Sequence, residues 1–143
     1  MSKIKLSDSS LNRINKKLSK EFYELRNIQD SLKKFKILNG DIRNKSDKLI
    51  HKLSSKISNG MIDDFKINAM YPLANGTKVG SFGDHRKYLY KNQNIAESYH
   101  LGIDLASSAR ASIKANNYGK IVFSAKNGVY GNMPMIAHGL GLY

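Results

Sequence analysis

The amino-acid sequence predicts a mixed α+β chain: a basic helical region, residues 1–60, followed by an antiparallel β region, residues 61–143. Three observations predict it. Apolar residues recur every three or four positions through the first region, the spacing that lines one face of a helix. From Met61 this period gives way to short apolar or alternating runs separated by Gly, Asn and Pro. Charge is also divided unevenly: residues 1–60 hold 15 Lys/Arg against 6 Asp/Glu, and residues 61–143 hold 9 against 5.

The helical region opens with Met1 to Asp8, which alternates polar and apolar residues and lacks the apolar core of a signal peptide. Asp8, Ser9 or Ser10 can cap a helix whose apolar stripe runs Leu11, Ile14, Leu18, Phe22, Leu25, Ile28, Leu32 and Phe35. Asn39-Gly40-Asp41 combines a helix-stop residue with a helix-start residue, so a break is expected there. A second stripe follows at Ile42, Leu49, Ile50, Leu53 and Ile57 and ends at Ser58-Asn59-Gly60. Two helices with narrow apolar seams suggest a helical hairpin or a coiled-coil pair.

Strand candidates in the second region are Ile67–Leu73, Lys78–Phe82, Lys87–Tyr90, Ser112–Ala115, Gly119–Ser124 and Met133–His138. Ala74-Asn75-Gly76, Asn116-Asn117, Lys126-Asn127-Gly128 and Gly139-Leu140-Gly141 supply turn chemistry between them. Pro134 cannot donate to a strand ladder, so its strand belongs at an edge or at a bulge.

Composition narrows the function classes. Without cysteine, disulfides and thiolate metal sites are excluded. No run approaches the ~20 apolar residues that a membrane-spanning helix needs. The net charge of +13 favours polyanionic partners. Nucleic acid is not the expected one, because the lysines are not interleaved with aromatics as stacking platforms require and no binding motif is present.

Four histidines remain as chemistry-bearing groups: His51, His85, His100 and His138. His51 lies in the second helical stripe and reads as a surface histidine; His85 reads as an exposed loop residue, and His138 as a strand-end residue beside a turn. His100 and Asp104 form a His-x-x-x-Asp pair with Gly102 between them. Imidazole nitrogen and carboxylate oxygen are both zinc ligands, bound at roughly 2.0–2.2 Å. On a straight strand the two positions lie ~13 Å apart. They can share an ion only where the chain bends, and Gly102 permits a bend. Leu101, Ile103 and Leu105 are expected to anchor this segment in the core.

Several motifs in order carry a resemblance: Ser81-Phe82-Gly83 with Arg86, then Tyr99 through Ala106, Gly119-Lys120-Ile121-Val122-Phe123, Gly128 through Asn132, and Ile136 through Tyr143. From about Asn68 onward the chain resembles the lysostaphin/LytM-type murein endopeptidases, most closely the cell-shape-determining members. The resemblance implies an antiparallel β domain with zinc at the floor of a groove. It implies His100 and Asp104 as metal ligands, and Arg86, Tyr130 and Asn132 as substrate-binding residues, with Tyr99 a further groove-lining candidate. It further implies stem peptides of peptidoglycan as substrate, a second LytM-type chain or cell-wall protein as partner, and a periplasmic or envelope setting.

Family members complete the site with a later Tyr-x-His and a later His-x-His segment, neither of which occurs in these 143 residues. The expectation is therefore a partial site with no catalytic side chain of its own, inactive alone and poorly folded beyond its helices. The alternative is a non-catalytic scaffold or activator of the same type. By the same resemblance, His138 lies on a strand leading away from the metal and does not substitute for the missing ligand.

Overall fold

The structure, a computed structural model, describes residues 1–56, 66–70 and 72–143. Among the described residues it is mixed α and β, with three small sheets. Two compact units share the chain: Met1–Asn44 with Gly80–Ile103, and Lys45–Val79 with Asp104–Tyr143. Each unit draws on segments from both sides of residue 60.

In the first unit the chain starts as a strand, β1 (Ser2–Leu6), which runs parallel to β3 (His85–Tyr90). The alternation Lys3-Ile4-Lys5-Leu6 is the signal for this strand, although a local reading gives it no partner. β3 turns back into antiparallel β4 (Gln93–Tyr99), and the sheet order is β1-β3-β4. The turn is two residues long, with positive φ at Lys91 (48°) and Asn92 (63°). That is the backbone twist favoured by tight hairpins. No glycine marks it, which is why β4 was not among the strand candidates.

Helix α1 (Asp8–Glu21) is capped by Ser7, one residue before the expected candidates, through a reciprocal pair of hydrogen bonds with Ser10. The single long helix expected from Leu11 to Phe35 does not form. Phe22 is extended (φ −117°, ψ 110°), a 3-10 turn follows at Tyr23–Leu25, and α2 (Ser31–Ile37) begins afresh. Asp30 starts α2 by accepting from the amides of Leu32 (2.8 Å) and Lys33 (3.2 Å). The apolar spacing survives the break because both pieces feed one core: Leu11, Leu18, Leu25, Phe35 and Ile42 are buried. Phe35 meets Tyr88 of β3 edge-on, with ring centroids 5.2 Å apart.

The break expected at Asn39-Gly40-Asp41 is also absent. A π-helical turn, Leu38–Ile42, carries the chain from α2 into α3 (Arg43–Ser54). Gly40 stays right-handed within that turn, so it does not act as a left-handed stop. Asn39 Nδ2 donates to the Phe35 carbonyl (3.1 Å), tying the wide turn to the one before it. The expected stop at Ser58-Asn59-Gly60, and Ile57 before it, lie outside the described residues.

The second unit holds two two-stranded sheets. β2 (Thr77–Gly80) pairs with β5 (Asp104–Ala106), and β6 (Lys120–Lys126) pairs antiparallel with β7 (Asn132–Ala137). Pro134 sits on an edge strand, as its missing N–H requires. The runs Ile67–Leu73 and Ser112–Ala115 are not strands. Lys66 to Met70 has no regular structure, Tyr71 lies outside the described residues, and only an isolated bridge joins Leu73 to Ile113. Among the described residues this unit buries Ser46, Asn127 and His138, whereas the first buries leucine, isoleucine and phenylalanine together with Asn15, Lys34 and Ser98.

Candidate functional site

His100 follows directly on β4 and is fixed by three bonds to the Ser81-Phe82-Gly83-Asp84 segment. Its carbonyl accepts from the Gly83 amide (2.8 Å), and its amide donates to the Asp84 carbonyl (3.0 Å). Its ring Nδ1 lies 2.7 Å from the Ser81 carbonyl oxygen. A carbonyl only accepts, so Nδ1 carries a proton, and in the neutral ring the lone pair falls on Nε2. Metal-ligating histidines are held in this way, through the nitrogen that does not face the ion. Gly83 adopts φ 77°, which suits the tight return of the segment toward His100.

Asp104 opens β5 and is exposed. The chain bends at Gly102, and the boundary between the two units falls after Ile103. The expected anchoring of the flanks is not found: Leu101 is 54% exposed and Ile103 61%. Both lie in the connection between β4, which ends at Tyr99, and β5, outside any strand that would seat them on a sheet face.

Arg86 stands on β3, its Nε donating to Asp84 Oδ2 at 3.2 Å. Asp84 also accepts from the Ser2 hydroxyl (2.7 Å). The Ser2 bond first, and Arg86 after it, hold the Asp84 carboxyl below its ordinary range. His85 is not the loop residue expected. It begins β3, its Nε2 lies 2.6 Å from Glu97 Oε2, and its ring stacks on Tyr99 at a centroid distance of 4.5 Å. Tyr99 thereby belongs to a ring pair on the sheet. Glu97 in turn is pulled below its ordinary range by His85 first, then by Asn94 and Lys87.

Tyr130 and Asn132 come together in the second unit, where a 3-10 turn (Gly128–Tyr130) leads into β7. Tyr130 donates to Asp47 Oδ1 on α3 (2.6 Å). Ser46 beside it accepts from the Val129 amide through Oγ (3.3 Å) and from Asn127 Nδ2 through its carbonyl (3.2 Å). Asn132 is exposed opposite Lys126.

No family model, curated protein or solved structure matches this chain. The functional reading rests on its own residues. Among the described residues, no group of three or more His, Cys, Asp or Glu is placed to hold a metal ion. His138 is buried and donates from Nδ1 to the Tyr118 carbonyl (2.5 Å), while His51 is exposed on α3. Sequence reading did not find the Ser81 carbonyl, Asp84, Glu97 or the Ser46-Asp47 pair. A backbone acceptor, a cross-strand partner such as Glu97 and partners more than 80 residues away leave no local spacing to detect.

Proposed function

We propose that the chain supplies part of a LytM-type zinc endopeptidase that cleaves peptide crosslinks of bacterial peptidoglycan, with His100 and Asp104 as metal ligands. The observation that carries this reading is the hold of Ser81 on His100 Nδ1, which joins two of the recognised motifs and fixes the ring through the nitrogen opposite the one proposed to bind metal. The donors fit zinc in kind, one imidazole nitrogen and one carboxylate oxygen, and are one short of the three protein ligands usual in catalytic sites. The third ligand would come from outside this sequence, and a second LytM-type chain or cell-wall protein in the envelope is the partner proposed for it. Bound zinc would supply polarisation of the scissile carbonyl and a water of lowered pKa. Arg86, Tyr130 and Asn132 are assigned to the stem peptide. Arg86 is oriented by Asp84, and Tyr130 by Asp47.

A second reading, a non-catalytic scaffold of the same type, is favoured by the donor count alone. Zinc titration by calorimetry separates the two. The enzyme reading expects zinc binding that is weakened at least tenfold in both His100→Ala and Asp104→Ala. Binding indifferent to both substitutions rejects the proposed ligands and leaves the scaffold.

A further inference from the structure

The sheet β6–β7 has two outer edges, and they differ. On β7, Pro134 removes a donor from the outer strand. On β6 the run Ile121-Val122-Phe123-Ser124-Ala125 holds neither a charge nor a proline, and among the described residues only β7 pairs with it. Ile121 is 64% exposed and Val122 39%. Val122 is the extra residue where the β6–β7 register shifts, a bulge toward the Lys120 end that leaves Phe123 to Lys126 in continuous register. Edge strand β1, by contrast, carries Lys3 and Lys5 within its length, the usual guard against further pairing. A two-stranded sheet is marginal by itself, and β6 is the edge at which a third strand would add backbone bonds and cover apolar side chains.

Charge decides the occupant. Lys120 and Lys126 close the two ends of β6. A second copy paired antiparallel about Phe123 would set each Lys120 against a Lys126, and a parallel in-register copy would set each lysine against itself. Like charges directly opposite are destabilising in either arrangement. Carboxylates at those two places would instead be paired.

We propose that the outer edge of β6 is a strand-docking site for another polypeptide. Its occupant is an extended segment with an apolar centre and a carboxylate at each end, roughly 20 Å apart at ~3.3 Å per residue. The inference stands on unit two alone and does not depend on zinc.

The test uses the whole 143-residue chain and two synthetic heptapeptides with the same Val/Thr centre, one ended by glutamates and one by lysines. Binding is read by amide shifts and by slowed hydrogen exchange over residues 120–126. The glutamate-ended peptide is expected to bind at least tenfold more tightly at low salt and to protect those amides. In Lys120→Glu/Lys126→Glu, whose side chains are exposed in the native chain, the preference is expected to reverse. Equal binding of the two peptides, protection elsewhere, or no binding overturns the proposal. Self-association of the wild-type chain in sedimentation, with protection of the same amides, also overturns it by making a second copy the occupant.

Discussion

The ring of His100 is held from behind by the backbone of Ser81, with Nδ1 donating to the carbonyl oxygen across 2.7 Å. The bond sets the tautomer before any ligand arrives. Nitrogen-15 chemical shifts of the neutral ring are expected to show the Nδ1–H tautomer. A dominant Nε2–H tautomer would remove the geometric support for His100 as a ligand through Nε2.

Tyr130 and Asp47 tie the Gly128–Tyr130 turn to α3 by a bond from hydroxyl to carboxylate. Such charge-assisted bonds are worth about 1.5–3 kcal/mol when shielded and less where water reaches them. Tyr130→Phe and Asp47→Ala are each expected to cost about 1 kcal/mol in urea unfolding. In a double-mutant cycle their effects should be less than additive, since both remove the same bond. Additive losses would mean that the two side chains act separately.

Gly119 precedes β6 at a point where the chain passes close to β7. A Cβ there would lie 2.5 Å from Ile136 Cγ2 and 2.7 Å from the Ala137 carbonyl oxygen. The backbone atom cannot swing aside as a side chain can. Gly119→Ala is therefore expected to destabilise by roughly 1–3 kcal/mol, the ordinary cost of overpacking. It should also speed amide exchange in β6 and β7; an unchanged unfolding midpoint would refute the close approach.

Asp84 and Glu97 both have carboxyls held below their ordinary range, by Ser2 and by His85 respectively as the largest causes. A carboxyl with a depressed folded-state pKa stabilises the fold above its unfolded value and loses that contribution as pH falls through the folded one. Acid is thus expected to loosen the β1-β3-β4 sheet below the ordinary carboxylate range, with little change between pH 6 and 8 from these two groups. Ser2→Ala should raise the Asp84 titration midpoint, measured by carbon-13 NMR of the carboxyl. A midpoint that stays put would show that the hydroxyl does not hold it.

Local chemistry was enough for several elements. Turn residues marked Asn75-Gly76 and Gly139-Leu140-Gly141, and Pro134 required an edge strand, because each is a constraint on the residue's own backbone. The core stripe Leu11, Leu18, Leu25 and Phe35 was legible because burial follows helical spacing even across the break at Phe22. His100 and Asp104 were read as a pair from the order of the motifs around them, since their spacing by itself is a weak signal.

Tertiary structure decided the rest. Ser2–Leu6 became a strand only because β3 offers a parallel edge more than 80 residues later. Gly40 stayed within a helix because a π turn absorbed it, where its freedom alone suggested a stop. The orientation of His100 depends on a backbone carbonyl, which every residue possesses and no sequence pattern reveals. Spacing reports what a segment prefers by itself; which partner satisfies its hydrogen bonds is settled only when distant segments meet.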